Sequence, residues 1–510
     1  VQSFLPEIVQ VSAVHREEPL EQQALDGFDH VIVLLPTGMA DWPDFPHAGE
    51  LRQLFDRLAD TGDASVLSTV LANASRTSVS LGFCKIAGDT FTMRSAARRV
   101  AAPALHQRCA RVAAIAPGFP PATAARALRC VVSALALGAA PMPTRKRDDD
   151  KSRPGEALRE IVTWGACPLN HYRRELAEAQ GNGLARWLAA LPSNELTVAG
   201  YLDRIEVLAA RAGWECTVLG EAELAREGAH AFLAVARGSR GHAESSPALV
   251  RLQYRPGRSL PVGRPDLCLV GKGICFDTGG VNVKPVQYMQ GMNEDMQGSA
   301  VALGTLLAIT QLALPFRVDV WLALAENAIG PAAYKPQDVI TAANGTTIEI
   351  IHTDAEGRMV LADTLHLAAR ERPALMVDLA TLTGACVNAL TTSYSGVFTN
   401  RPELRDLLLD AGRMSGERVW PFPMDEDFDQ ALDSDIADIK QCAVEGRGDH
   451  ILAARFLQRF VPEEIPWVHV DLAASRHKGG LADVPTDVTG FGVRFLMDLL
   501  VDQVLVESTA

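Results

Sequence analysis

Apolar residues recur along this chain in two rhythms. Short unbroken runs such as Val31-Ile32-Val33-Leu34-Leu35 have the length and β-branched content of strands buried on both faces. That run gives way to a loop and then to apolar positions at Leu51, Leu54, Phe55 and Leu58, whose spacing predicts an amphipathic helix. A strand is predicted over Glu160–Trp164, and a helix over 172–191, rich in Ala, Leu, Arg and Glu and closed by Pro192. Beyond it, strands are predicted at 266–270, 317–325, 374–379 and 467–472, with helices at 299–312 and 359–370 between them. Strands alternating with helices imply an α/β fold with a largely parallel sheet.

Composition adds a second domain. At 510 residues and 48% apolar, the chain exceeds what one hydrophobic core organises. The helix over 172–191 is the natural joint, giving an N-terminal α/β domain at 1–167, a linker helix at 168–192 and a C-terminal domain at 193–510. The charged stretch 145–151 ahead of Pro154-Gly155 reads as an exposed loop. A net charge of −14 argues against a nucleic-acid or acidic-membrane surface, because phosphate binding needs clustered Lys and Arg. The nine cysteines form no C-x-x-C pair, which fits reduced thiols in a cytoplasmic protein. The opening residues lack the basic and apolar regions of a secretory leader, so export is not expected. No uncharged apolar run reaches the roughly eighteen residues that span a bilayer, and a soluble protein is expected.

Chemistry concentrates in two segments. In the first, Leu269-Val270-Gly271-Lys272-Gly273-Ile274-Cys275-Phe276-Asp277-Thr278-Gly279-Gly280, an apolar strand is expected to empty into a glycine-rich turn presenting Lys272 and Asp277. It continues to Lys284-Pro285 and to Glu294-Asp295-Met296. In the second, His352-Thr353-Asp354-Ala355-Glu356-Gly357-Arg358 follows a β-type run over 346–351 and opens a helix. Carboxylates gathered in one place repel, and cations or protons relieve that repulsion. Hard oxygen donors with one amine suit a pair of divalent ions such as zinc, manganese or cobalt. Lysine is an unusual ligand, since it must give up a proton it normally holds to about pH 10. An ion pair between Lys272 and Asp277 across the turn would explain the same spacing. The motifs H-E-x-x-H, G-x-x-x-x-G-K-[ST] and G-x-S-x-G are absent. The twelve histidines do not cluster, and His352, the only one inside a motif, is expected to be structural or to support a ligand.

These two blocks, with Lys284-Pro285 and Leu361-Ala362-Asp363, resemble the leucyl aminopeptidase family of dinuclear metallopeptidases, over about residues 184–500. The resemblance implies a C-terminal catalytic domain with a central mixed sheet. It implies two metal ions, one held by Lys272, Asp277, Asp295 and Glu356, the other by Asp277, Asp354 and Glu356. It assigns catalytic roles to Lys284 and Arg358, with a bicarbonate on Arg358 as proton shuttle, and metal-activated hydroxide as the nucleophile. Substrate contacts fall on Met292, Thr381, Leu382, Gly384 and Ala473. The implied substrates are peptides with a free N-terminus, and the implied assembly is a homohexamer.

One position departs from the family pattern on the implied pocket wall: Arg476, where some relatives carry an apolar residue. Pointing inward, it would admit an acidic side chain; pointing to solvent, as arginine mostly does, it would change nothing. Two other functions remain in view, a catalytically silent or DNA-binding member of the same family and a two-metal phosphatase or nuclease. The first is opposed by the acidic balance and the intact acids, the second by the lysine of Gly-Lys-Gly.

Overall fold

A computed structural model describes residues 4–6, 10–39, 41–57, 66–146, 157–256 and 263–504. Leu58 and residues 147–151 of the charged stretch lie outside the described residues. Seventeen strands form three sheets among the described residues.

The first sheet contains β1 (Ser12–Arg16), β2 (His30–Pro36), β3 (Leu67–Val70), β4 (Ser78–Cys84), β5 (Arg111–Ile115) and β6 (Glu160–Trp164), in the order β1-β6-β5-β2-β4-β3. All its pairings are parallel except β3 with β4. β2 is buried at every position, as its unbroken apolar run requires. The helix expected near Leu51 spans Ala48–Arg57.

The second sheet has eight strands: β7 (Glu215–Leu219), β8 (Ala248–Tyr254), β9 (Leu267–Asp277), β10 (Val318–Asn327), β13 (Leu375–Ala380), β14 (Ser395–Thr399), β15 (Val419–Pro421) and β17 (Trp467–Asp471). Their order is β15-β14-β17-β13-β9-β10-β8-β7. The centre, β17-β13-β9-β10, is parallel, while β14 against β17 and the flank β10-β8-β7 are antiparallel. The fold is therefore mixed α/β, with the expected strands at its parallel centre. The β-type run before the second motif gives β12 (Thr347–Glu349), which leaves the main sheet to pair with β11 (Val339–Thr341) and β16 (Ile439–Lys440).

β9 corrects one expectation. It runs eleven residues to Asp277, so Lys272 lies inside the strand and not in a turn. Its Leu267 and Leu269 pack into one core with helix Gln297–Gln311, while Cys268, Val270 and Ile274 join a second core with helix Glu356–Ala369. Alternation places Lys272 on the second side. Five residues on, Asp277 would face the opposite way in a regular strand. Between Ile274 and Asp277, however, β9 spends one residue more than β10, a bulge that reverses the parity and returns Asp277 to the face of Lys272.

The expected joining helix spans Arg173–Ala189 and crosses helix Gln297–Gln311 at a glycine pair, where a Cβ on Gly181 would come within 2.3 Å of Gly304 O. Helix Pro121–Ala139 is long and apolar enough to cross a membrane, although Arg126 and Arg129 interrupt it; it packs against helices Thr90–His106 and Arg173–Ala189. All nine cysteines are free thiols.

The two large sheets are tied together by a buried carboxylate. Asp483 accepts from Arg94 Nη1 at 2.8 Å and Ser133 Oγ at 2.8 Å, both on helices of the first sheet, and from Arg494 Nη1 at 2.9 Å. Burial raises its pKa, but Arg494 and Arg94 prevail and lower it to about 2. The native state therefore binds fewer protons than the unfolded chain between that value and the ordinary aspartate range. The stabilisation is complete above about pH 4 and is lost as pH falls through about 2, amounting to about 2 kcal/mol. Asp483→Asn removes the carboxylate shared by Arg94 and Arg494, leaving Arg494 an ion pair only with Glu178, at 3.8 Å, among the described residues, and is expected to cost about 3 kcal/mol. In denaturant melts from pH 6 to pH 2, the parent should lose this increment and the variant should not; equal acid sensitivity would contradict the assignment.

Candidate metal centre

In an open α/β sheet, sites form outside the carboxyl ends of parallel strands. Here those ends carry Asp277 (β9), Asn327 (β10), Thr381 just after β13, and Asp471 (β17). Two helix starts face them. Glu356 occupies the first turn of helix Glu356–Ala369, and Asp295 lies two residues ahead of helix Gln297–Gln311. The positive end of a helix stabilises a nearby carboxylate by about 0.3–1 kcal/mol, which helps hold these acids so close together.

Ligand atoms of Asp277, Asp354 and Glu356 lie within 4.8 Å of one another. Asp295 stands outside that triangle and reaches it through Lys272, whose Nζ is 2.8 Å from Asp295 and 2.9 Å from Glu356 Oε1. Lys284 Nζ is 2.8 Å from Asp277 and 2.5 Å from Asp354. The simple pairing of Lys272 with Asp277 is thus not the arrangement adopted. Lys272 Nζ also donates to Thr381 O at 2.8 Å, and Thr381 Oγ1 donates to Asp295 Oδ1 at 2.7 Å.

Four carboxylates facing two ammonium groups leave an excess of negative charge in a largely buried place. Its imprint is on the proton affinities. Burial, then Glu356 and Asp277, raises Asp354 to about 7 against the pull of Lys284. Burial also raises Asp295 to about 8, with Lys272 opposing and Glu356 and Asp277 adding to it. For Lys272 burial works against the charge, but Asp295, Glu356 and Asp277 outweigh it and raise the pKa; Lys284 behaves alike with Asp277, Glu356 and Asp354. Glu356 Oε2 is buried without a hydrogen-bond partner among the described residues. Hard oxygen donors, surplus negative charge and an unpartnered carboxylate oxygen fit divalent cations.

Arg358, 1% exposed, donates from Nη1 to Gln441 O at 3.1 Å and from Nη2 to Asp449 Oδ2 at 2.7 Å, while its Nε has no partner among the described residues. The residues expected to meet substrate, Met292, Thr381, Leu382, Gly384 and Ala473, line one cleft of about 670 Å³ with the acids, Lys272, Lys284 and Arg358. Arg476 lines it too, pairing with Glu294 while its side chain stays 54% exposed. His352 sits at the rim, its Nδ1 accepting from the Asp354 N–H at 3.2 Å.

Several supporting residues escaped the sequence reading. Asn327 Nδ2 donates to Asp277 Oδ1 at 2.8 Å and to Thr353 O at 3.0 Å, linking both motifs. Thr353 Oγ1 donates to Gly279 O at 2.6 Å and accepts from the Asn282 N–H at 2.9 Å, fixing the loop that carries Lys284. Asp471 accepts from Thr383 Oγ1 at 2.6 Å and from the Leu382 N–H at 3.3 Å, holding the loop after β13. Asn327 and Asp471 end parallel strands, and the strand-end rule applied to every predicted strand would have nominated both.

A cluster of hard donors at the carboxyl edge of a mixed α/β sheet is the class of site that takes divalent cations. The chain belongs to the cytosol aminopeptidase family, whose catalytic-domain model matches residues 183–497. It is 44% identical over 321 residues to a probable cytosol aminopeptidase of Syntrophotalea carbinolica, a match covering 63% of each chain. With a probable cytosol aminopeptidase of Geobacter sulfurreducens it shares 38% identity over 397 residues, 77% of each. Among solved structures it is similar to the bottromycin maturation enzyme BotP in complex with Mn, at 34% identity and TM-score 0.77, covering 92% of this chain and 98% of that one. A mutant of tomato leucine aminopeptidase aligns at 25% identity and TM-score 0.79, covering 98% and 97%.

Helix Gln297–Gln311 reaches the sheet only because Gly298 has no side chain: a Cβ there would lie 2.0 Å from Leu379 O. Gly298→Ala should therefore destabilise by about 3 kcal/mol through overpacking against backbone. At Gly384 a Cβ meets nothing within 4 Å, and Gly384→Ala should stay within about 0.5 kcal/mol of the parent. Denaturant midpoints of the two variants test this, and similar losses in both would refute it.

Proposed function

We propose that this protein is a two-metal aminopeptidase that releases N-terminal residues from peptides. The observation that carries this reading is the convergence of Lys272, Asp277, Asp295, Asp354 and Glu356, with Lys284 and Arg358, on one cleft of a chain that belongs to the cytosol aminopeptidase family. Lys272, Asp277, Asp295 and Glu356 would hold one ion, Lys272 as the neutral amine once the cation takes the place of its proton among those carboxylates, and Asp277, Asp354 and Glu356 would hold the other. When bound, two divalent ions, zinc, manganese or cobalt, acidify water and polarise a carbonyl. The manganese of the BotP structure supports this choice of metals.

The chain's own groups supply the rest. Lys284, whose Nζ stands 2.8 Å from Asp277 and 2.5 Å from Asp354, would place a positive charge where the carbonyl oxygen becomes negative. Arg358 is immobilised by Gln441 and Asp449 and retains a buried Nε donor for a small anion. We assign that anion as bicarbonate, which supplies proton transfer where no side chain serves as general base. The free, neutral α-amine of the substrate would be received at one of the two ions, beside the backbone carbonyls near Leu382, restricting cleavage to N-termini. The N-terminal side chain would rest among Met292, Gly384 and Ala473, which are small or apolar.

The same reading places the protein in the cytoplasm, as a homohexamer. It divides the chain into an N-terminal domain at 1–167, a joining helix at 168–192 and a catalytic domain at 193–510, each of the two domains built around its own large sheet.

Lys284→Ala is expected to lower turnover of an aminoacyl anilide about a hundredfold or more, and Arg358→Ala to lower it by a smaller factor, with the metal content of both variants retained. A Lys284→Ala protein that hydrolyses the anilide at the parent rate would remove Lys284 from the chemistry. Chelation should abolish the activity and manganese restore it, whereas metal-free protein that still trims peptides would end the two-metal reading.

A further inference from the structure

The cleft wall carries an ion pair that belongs neither to the lysine–carboxylate cluster nor to the Arg358–Asp449 pair. Arg476 Nη1 donates to Glu294 Oε1 across the cleft lining, from the loop after β17 to the short turn Met292–Glu294. The arginine's backbone is anchored, because Arg476 bridges Val488 in antiparallel fashion and Thr489 donates its N–H to Ser475 O at 2.9 Å. The two partners are unequally buried: the Glu294 side chain is 14% exposed, that of Arg476 54%. Glu294 is thus the charge held within the wall, and Arg476 neutralises it from the mouth. A second carboxylate, Asp487, stands 3.5 Å from Arg476 Nη2 on the solvent side. Met292 on the turn and Ala473 on the loop line the same cleft, as does Gly384, where a Cβ would meet nothing within 4 Å.

We propose that the Glu294–Arg476 pair is the specificity determinant of this cleft, keeping its wall neutral so that peptides with an uncharged N-terminal side chain are selected. The inference rests on the aminopeptidase reading and names the substrate class for it. A lysyl or arginyl side chain finds Glu294 already satisfied and meets the guanidinium of Arg476. An aspartyl or glutamyl side chain finds Arg476 engaged and meets the carboxylate of Glu294. An apolar side chain packs against Met292, Ala473 and the methylenes of Arg476 without leaving a charge unpaired. Removing Arg476 leaves Glu294 unpaired in the wall and favours a cationic side chain; removing Glu294 frees Arg476 Nη1 while Asp487 still faces Nη2, so the gain for an anionic side chain is smaller, and removing both restores neutrality.

The test uses the metal-loaded full chain, with Arg476→Met, Glu294→Gln and the double variant. Leucyl, lysyl and glutamyl anilides report kcat/KM, and calorimetric binding of leucine, lysine and glutamate reads the same selectivity without turnover. Metal content is measured for every variant, since Glu294 adjoins Asp295. The parent should favour leucyl over both charged substrates by at least tenfold. Arg476→Met should raise the lysyl-to-leucyl ratio about tenfold, Glu294→Gln should raise the glutamyl-to-leucyl ratio by a smaller factor, about threefold, because Asp487 still faces Arg476, and the double variant should return both towards the parent. Ratios within twofold of the parent in both single variants, by turnover and by binding, overturn the proposal, as does a parent that takes lysyl or glutamyl substrates as well as leucyl. If the loaded parent hydrolyses no anilide, the peptidase reading fails, and the amino-acid binding series still decides the role of the pair.

Discussion

Mutual repulsion among Asp277, Asp295, Asp354 and Glu356 is the constraint around which the catalytic half of this chain is arranged. Like charges a few ångströms apart in a desolvated place cannot all remain ionised without cations, and the raised proton affinities of Asp354 and Asp295 record that strain. The fold meets the demand with local devices. A bulge in β9 turns Asp277 to the side of Lys272, two helix starts point at the acids, and Asn327 clamps one motif to the other. None of these adds a cation. Two ammonium groups against four carboxylates leave a negative excess for protons or bound cations to balance.

Support for this arrangement extends well beyond the cleft. The segment from Ala473 to Asp483 carries the pocket wall at one end and the buried tie to the first sheet at the other. Arg98 adds to that tie, donating to Gly479 O at 3.0 Å and Val484 O at 2.8 Å. The N-terminal sheet therefore buttresses the loop that shapes the side-chain pocket. That contact gives the first third of the chain a mechanical connection to the site, although none of its described residues lines the cleft.

Much of this was legible in the sequence because parallel strands buried on both faces write unbroken apolar runs. The runs at Val31–Leu35 and before Asp277, and the helices after Met296 and Ala355, were read for that reason. The chemistry was legible because its residues are clustered in two contiguous blocks. Less visible was what depends on register or on distant partners. Gly271 and Gly273 read as a turn around Lys272, which lies within β9, and the bulge that sets the face of Asp277 leaves no compositional mark. The antiparallel flank of β7 and β8, and the antiparallel pairing of β14 with β17, are settled by tertiary neighbours and not by alternation alone. Asp483 and Arg94 stand almost 400 positions apart, and only the folded chain shows that they meet.

The account is most directly tested by anomalous diffraction from crystals grown with manganese. It predicts two peaks per chain inside the cluster, one among Lys272, Asp277, Asp295 and Glu356 and the other among Asp277, Asp354 and Glu356. A single peak, or peaks lying away from these side chains in crystals of active protein, would contradict it.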